Sequence, residues 1–391
     1  MIRFVAWPLA LFTAAALAAS SDDLGSVLQR QHNLTTFYDL IKNNSDVLLQ
    51  LPNYNGVTIC APSDKAFENI PYTSLNDVWD PSDAAKTTAL LQYHILQGSV
   101  TIADLESGPT YLERTLLTAP AYTNVTAGQN VLLNKQPGDA IVLTSSLGTR
   151  CTVIERDIAF QGGRIHIIDN LLIPPAPLRA TAATFRAQSF LAALYAAGLM
   201  PDVDDRRNAA LQGRGGQAAL ARVMGYHVVP GRILSSTDLV NGTVLTTLSG
   251  GSSNATSGSG NPKLVVRQAG NDKFVNSAKI VQPDILLANG IMHLVADVLN
   301  PDAPSATPDP TLASQPPVFP VSVASSPFAS ALPCTTDCPT STSAATASST
   351  TTTTAGGGGS RPTSSKNGGI SKPTAHAAAA ALGVLGAGLL L

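Results

Sequence analysis

The chain writes the same strand pattern twice. Gly162-Gly163-Arg164-Ile165-His166-Ile167-Ile168-Asp169-Asn170-Leu171-Leu172-Ile173-Pro174 reads as a turn, a strand and a proline stop. Asn289-Gly290-Ile291-Met292-His293-Leu294-Val295-Ala296-Asp297-Val298-Leu299-Asn300-Pro301 repeats it 127 residues later. In each copy an Asp-Ile pair lies nine residues ahead of the histidine, Asp157-Ile158 before His166 and Asp284-Ile285 before His293. Both faces of the strand are largely apolar, which predicts burial on both sides. A second landmark, Tyr93-His94, returns 133 residues later as Tyr226-His227. Separations this long mark whole-domain repeats; solenoid units recur at roughly 20–50 residues.

Within the first copy, helical spacing comes early and strands come late. Leu24, Val27, Leu28, Phe37, Leu40 and Ile41 fall on a helical pattern between Asp23 and Gln50, which Pro52 and Gly56 end. Val57 to Pro62 is a short β-rich run, and Ser63 or Asp64 is available to cap the helical turn after it. Asp80-Pro81 predicts the start of another helix, with Thr87, Leu90, Leu91 and His94 on one face. From Leu112 to Ile173 the pattern is strands separated by turns. Helices first and strands later is an α+β order, not an alternating βαβ one. The second copy is shorter, with a helix expected over Phe190 to Leu199 and no match to Thr58 through Phe67. Ser249 to Pro262 is a Gly/Ser loop expected to be disordered.

The two ends read as processing signals. Arg3, the apolar run Phe4 to Leu17 and the small-residue site Ala16-Leu17-Ala18 form a secretory signal over 1–18. At the other end come small residues, Asn367-Gly368-Gly369, then a polar spacer, then an uncharged tail from Ala377 to Leu391. That is the pattern of a glycosylphosphatidylinositol (GPI) anchor signal over 370–391, with Asn367 the first choice of attachment residue and Ser364, Ser365 and Gly368 the alternatives. The mature chain would then sit on the outer face of the plasma membrane, or in a cell wall, held by lipid alone. Between the second copy and this signal, 302–369 is a Ser/Thr/Pro/Gly-rich stalk. It has too few large apolar residues to offset the entropy of ordering and is expected to stay extended and O-glycosylated. Sequons at Asn33, Asn43, Asn124, Asn241 and Asn254 are candidate N-glycosylation sites. Four cysteines suit an oxidising compartment. Cys334 and Cys338 can close a small loop in the stalk. Cys60 and Cys151 either pair or each serve as a buried small hydrophobe.

These residues resemble the fasciclin-like domain family. Its first box is similar to Thr58-Ile59-Cys60-Ala61-Pro62-Ser63-Asp64-Lys65-Ala66-Phe67, its Tyr-His pair to Tyr93-His94 and Tyr226-His227, and its second box to Gly162–Pro174 and Asn289–Pro301. The resemblance covers about Asp23 to Pro301. It implies an α+β architecture of two tandem β-wedge domains with packed helices, 23–175 and 178–301, the second truncated, followed by the disordered stalk. The second copy lacks the first box and carries Ala296 where the first has Asp169. The resemblance also implies adhesion or matrix contact. Partner binding in some animal members is assigned to the stretch before the second box and to the Tyr-His region. Carried over, that stretch is Gln282-Pro283-Asp284-Ile285-Leu286, with Glu155-Arg156-Asp157-Ile158-Ala159 a weaker match. The candidate contact residues are therefore Asp157, Ile158, Pro283, Asp284, Ile285, Tyr93, His94, Tyr226 and His227. Asp284 has a blander reading as a turn cap, which Asp157 at the matching place favours.

Other chemistries fare less well. His166 and Asp169 lie three apart on a strand and so point to opposite faces, which does not make a triad; a buried, hydrogen-bonded ring is the better reading of His94, His166, His227 and His293. No Gly-x-Ser-x-Gly elbow, His-x-x-x-His or Cys-x-x-Cys spacing occurs, so no catalytic residue, cofactor or metal is expected. A net charge of −2 with 13% charged residues gives no electrostatic case for nucleic acid. Two readings remain. One is a surface protein that adheres to a cell-wall, matrix or surface glycoprotein or glycan ligand. The other is a surface carrier that holds a lipid, sterol or glycan in a domain crevice.

Overall fold

The computed structural model describes residues 22–73, 75–76, 79–200, 218–250, 262–319, 328, 332 and 388–390. The signal segment, residues 251–261 of the Gly/Ser loop, Asn254, Asn367, Cys334, Cys338 and the stalk beyond residue 319, apart from Phe328 and Leu332, lie outside these. The chain divides into two compact units. One comprises 1–184, 231–240 and 282–293, the other 185–230, 241–281 and 294–391.

The first repeat opens with α1 (Leu24–Arg30) and α2 (Thr35–Asn43), then a 3₁₀ turn over Ser45–Asn53. Strand β1 (Val57–Pro62) leads into α3 (Asp64–Glu68), and α4 (Ala84–Tyr93) follows. Strands β2 (Ile95–Gln97), β3 (Thr110–Arg114), β4 (Asn130–Lys135), β5 (Ile141–Thr144), β6 (Arg150–Phe160) and β7 (Gly163–Ile168) complete it. They form a seven-stranded sheet in the order β2-β1-β7-β6-β5-β4-β3. The β1–β7 pair is parallel, in register from Val57 opposite Gly163 to Pro62 opposite Ile168. Both strands are buried on two faces, as their continuous apolar runs require. Val57, Ile59, Ala61, Ile165 and Ile167 pack with Val27, Leu28, Phe37 and Ile41 of the early helices. Cys60 and Ile168 join a second cluster with Tyr93, Val131, Leu143 and Cys151.

The structure chooses between the two caps offered for α3 and moves the start of α4. Ser63 caps α3, its hydroxyl accepting the Ala66 N–H at 3.3 Å. Asp64 instead reaches back to α2, where its carboxylate accepts the N–H groups of Thr35 (3.2 Å) and Thr36 (2.8 Å). Burial pushes the Asp64 pKa up, but these hydrogen bonds outweigh it and leave the group lowered. Helix α4 starts at Ala84, not at Pro81, with Asp83 accepting the Lys86 N–H. Asp80 is spent on its own turn, bonding Ser82.

The second repeat has α5 (Leu178–Thr184), α6 (Gln188–Ala196) and α7 (Ala218–Gly225). Its strands are β8 (Val244–Thr246), β9 (Lys263–Ala269), β10 (Asp272–Val275), β11 (Ala278–Leu287) and β12 (Gly290–Val295), joined by β13 (Gly388–Leu390). The sheet order is β13-β12-β11-β10-β9-β8. Strands β8 to β12 thus follow the order of β3 to β7, while among the described residues of the second repeat β1 and β2 have no copy in their own place. The loss of β2 follows from that of β1, because β2 pairs with β1 over Ile95 to Gln97 and a lone short strand has nothing to bond. With no counterpart of Asp64, the N-terminus of α6 has no side-chain cap either. The chain after Pro301 also departs from expectation. Residues 302–319 form turns that bury Gln315 and Phe319, so the ordered structure runs past the expected start of the stalk.

Gly163 and Gly290 occupy matching positions in different surroundings. A Cβ on Gly163 would lie 2.2 Å from the Val57 carbonyl oxygen, whereas one on Gly290 meets nothing within 4 Å. Gly163→Ala should therefore cost about 1–3 kcal/mol by forcing β1 away from β7. Gly290→Ala should stay within about 0.5 kcal/mol of the parent. Urea unfolding of both variants checks this, and equal losses would contradict it.

Candidate functional site

Each repeat is laced by two buried histidines, and the bonding is the same in both. His94 ends α4, and its Nδ1 lies 2.8 Å from the Leu90 carbonyl. Its Nε2 accepts the Leu172 N–H at 2.9 Å. A ring nitrogen that accepts carries no proton, so Nδ1 holds the hydrogen and donates it to Leu90. His227 does the same between Val223 (2.9 Å) and Leu299 (2.9 Å). Burial lowers the pKa of each to about 4, against a smaller upward pull from the helix carbonyl. The tyrosine before each histidine is fully buried. Tyr93 donates its hydroxyl to the Asn130 carbonyl at 2.8 Å, and Tyr226 to the Lys263 carbonyl at 2.9 Å.

The later histidines bridge in the opposite tautomer. His166 Nδ1 accepts the Asp157 N–H at 3.1 Å, which leaves the proton on Nε2 to bond the Val100 carbonyl at 3.0 Å. His293 accepts from Asp284 N–H at 3.2 Å and donates to Leu234 at 2.9 Å. Burial lowers the His166 pKa, Arg164 adding to the shift while Val100 and Asp157 oppose it.

The two aspartates have left-handed backbones, with φ of 58° at Asp157 and 62° at Asp284, a conformation that Asp tolerates better than most residues. In β6 this sits at a slip of register against β7 between Glu155 and Ile158, a β-bulge. The bulge turns the Asp157 N–H towards the histidine. Its carboxylate faces the loop that the histidine also holds, accepting the Ile102 N–H at 3.4 Å and pairing with Arg164 at 3.0 Å. Asp284 accepts the Ser236 N–H at 2.6 Å and the Ser236 hydroxyl. Both carboxylates are therefore caps on a loop.

This geometry sorts the candidate contact residues. Tyr93, His94, Tyr226 and His227 are 1% exposed or less and have their polar atoms bonded internally, so a partner cannot reach them in the folded protein. Asp157 and Asp284 are half-buried and engaged, Ile158 packs at the edge of the helix-side core, and Ile285 is buried. Pro283 alone of the nine is exposed. It lies in an exposed run, Val281-Gln282-Pro283, that matches Ile154-Glu155-Arg156 in the first repeat. Ile154 is 56% and Val281 54% exposed. Sequence reasoning passed over these two residues, although their common offset of 127 was there to be read.

The His166–Asp169 pair offers no free base. Both ring nitrogens of His166 are committed to backbone, and the Asp169 carboxylate accepts the Thr152 N–H at 2.6 Å. Among the described residues no group of three or more His, Cys, Asp or Glu side chains is placed to hold a metal. Cys60 and Cys151 are buried free thiols. Burial pushes the Cys60 pKa up to about 12 and raises that of Cys151 as well. Of the sequons, Asn33, Asn43 and Asn241 are exposed and Asn124 is half-buried.

The fasciclin domain model matches residues 32–174 and 190–301. The chain belongs to the fasciclin domain family. A fasciclin-like arabinogalactan protein of Arthroderma benhamiae is 26% identical over 326 residues, covering 80% of this chain and 73% of the relative. The fasciclin-like arabinogalactan protein elcF of Phaeosphaeria nodorum is 28% identical over 305 residues, covering 75% and 93%. Among solved structures, a pair of fasciclin domains from the insect cell adhesion molecule Fasciclin I aligns at 17% identity and a TM-score of 0.33, covering 70% of this chain and 98% of that one. Both matched regions contain a complete pair of histidine bridges.

The bridges make fasciclin stability pH-dependent. The folded pKa of His94 and His227 lies below the unfolded value, so the unfolded chain binds more protons between about 6.5 and 4. Their contribution is therefore fully present above about pH 6.5 and is lost as pH falls towards 4, on the order of 2–3 kcal/mol for each. Urea titrations at stepped pH should give an unfolding free energy that declines across this window. A His94→Gln, His227→Gln double variant should be weaker at pH 7 and flatter below it.

Proposed function

We propose that this protein is a GPI-anchored cell-surface glycoprotein whose fasciclin domains adhere to a neighbouring cell, matrix or wall component. The observation that carries this reading is the exposed strip on the bulged strand, Ile154-Glu155-Arg156 and Val281-Gln282-Pro283, present at the same place in both repeats. Core packing does not explain an apolar side chain held outward twice at one position. A partner that buries it does. The names of the fungal relatives, arabinogalactan proteins, and of the insect molecule, a cell adhesion protein, support a surface role. The Ser/Thr-rich stalk, the exposed sequons and the two terminal signals fit a glycosylated ectodomain held away from a membrane.

Two experiments test this. Ile154→Glu with Val281→Glu changes only exposed positions, so stability should move by no more than about 0.5 kcal/mol for each. Attachment of displaying cells should fall at matched surface levels. Asp284→Ala serves as the comparison: it should lower stability by about 0.5–2 kcal/mol through the lost cap and leave attachment intact once display is equalised. Full attachment by the doubly charged variant would remove the strip from the contact surface. The anchor is tested separately. Phosphatidylinositol-specific phospholipase should release the protein from membranes, and mass spectrometry should find it ending at Asn367. A membrane-bound product with the tail intact would overturn the anchor.

A further inference from the structure

The sequon Asn241-Gly242-Thr243 stands directly ahead of β8 and is drawn into the pairing of that strand with β9. The regular register sets Thr246 opposite Lys263, Leu245 opposite Leu264 and Val244 opposite Val265. Beyond it, two residues share one partner. The Gly242 N–H donates to the Val266 carbonyl at 2.8 Å, and the Val266 N–H donates to the Thr243 carbonyl at 2.8 Å. Gly242 has a φ of 85°, the left-handed backbone of a β-bulge whose first residue is glycine. The bulge carries Asn241 to the end of the ladder, where its side chain stands in for a backbone carbonyl. Its Oδ1 accepts the Gln268 N–H at 3.1 Å. Asn241 is exposed, and this is the one hydrogen bond its carboxamide makes among the described residues. Nδ2, the atom that a glycan would occupy, is left free. Asn33 and Asn43 are also exposed, but no hydrogen bond holds their side chains in place.

We infer that Asn241 is a built N-glycosylation site, at which the fold grips Oδ1 and leaves Nδ2 to carry a glycan that lies against the end of the β8–β9 pair. The inference rests on the secreted-glycoprotein reading above and gives one of its sequons a structural role. An asparagine amide keeps its acceptor and its donors on different atoms. Transfer forms a bond from Nδ2 to the anomeric carbon of the first sugar, breaks the bond from that carbon to the diphosphate of a lipid-linked oligosaccharide, and releases one Nδ2 proton. Oδ1 keeps its lone pairs, so the glycan and the Gln268 bond coexist. The sequence order allows this. Val266 and Gln268 follow Asn241 in synthesis, so the sequon meets the transferase as open chain and the bulge closes around an amide that already carries its sugar. A sugar rooted on a fixed amide loses less freedom when it settles than one rooted on a mobile side chain. Apolar surface lies within its reach. Val244 is 51% exposed and its cross-strand partner Val265 is half-buried. At a strand rise of about 3.3 Å per residue, Val244 is roughly 10 Å from Asn241, a span that the first two sugars cover.

Three full chains, each secreted from a yeast through its own signal segment, test this. They are the parent, Thr243→Ala and Asn241→Asp. Thr243→Ala removes the sequon hydroxyl and keeps the bulge, which uses only the Thr243 backbone. Asn241→Asp keeps an acceptor for Gln268 and has no nitrogen to carry a sugar. Peptide mass spectrometry should find Asn241 glycosylated in nearly all parent molecules and in neither variant. By hydrogen exchange, the amides of Gly242, Val266 and Gln268 should exchange about threefold slower or more in the parent than in Thr243→Ala. Removing the glycan from the folded parent with peptide N-glycosidase, which leaves Asp at 241, should raise exchange to the level of Asn241→Asp. The amides of Phe274 and Lys279, paired between β10 and β11, should exchange alike throughout and report an intact fold. An unmodified Asn241 in a secreted chain that carries a glycan at Asn33 or Asn43 would overturn the inference. So would a glycosylated Asn241 whose neighbouring amides exchange as fast as those of Thr243→Ala. A chain held inside the cell with no sequon modified would overturn the secreted-glycoprotein reading, and the inference with it.

Discussion

The structure depends on neutral imidazole rings that join pieces of backbone which no secondary structure connects. A strand or helix satisfies its own amides, but the segment after the second box and the loop before β3 cannot. In each repeat one histidine holds the first of these and another holds the second. A ring with one donor and one acceptor fits a gap between a carbonyl and an N–H, and it does so without bringing a charge into the core. The arrangement is costly to break from either side. Removing the ring leaves two buried backbone groups unpaired, and protonating it turns the accepting nitrogen into a donor that faces the N–H it had bonded.

The bulges belong to the same device. A regular β6 or β11 would direct every amide into the sheet ladder. A left-handed Asp breaks the ladder for one residue, turns its N–H to the histidine and leaves its carboxylate to cap the loop held by the ring's other nitrogen. Bulge, histidine and loop therefore form one closed set of bonds, which explains why the Asp and His recur with identical spacing. The bulge also sets the exposed residues just ahead of it at the surface. A structural necessity thereby creates a projecting strip that is free to be used for contact.

The repeats differ for a reason that runs outward from one missing strand. Without β1 the second repeat has no partner for a β2, no carboxylate to cap α6, and no close neighbour at Gly290. The histidine bridges survive because none of their bonds uses β1 side chains. Among the described residues the second repeat thus lacks both β1 and β2 while keeping the bonds that set the loops.

The sequence by itself determined the two domains, their α+β order, the burial of the second-box strand on both faces and the shortened start of the second copy. These rest on hydrophobic periodicity and on identical side chains at fixed offsets, both of which are local and visible in one dimension. It also framed Asp284 as a choice between cap and contact, with the matching Asp157 pointing to the cap. Only the tertiary structure decided what Tyr93-His94 and Tyr226-His227 bond to, because their acceptors and donors are backbone groups of Leu90, Leu172, Val223, Leu299, Asn130 and Lys263. Every residue carries such groups, so they leave no trace in residue type. The destination of Asp64, capping a helix that starts 29 residues earlier, was hidden for the same reason. Backbone pairing between distant segments is set by which edges the folded sheet leaves open, and an open edge exists only once the other strands have assembled.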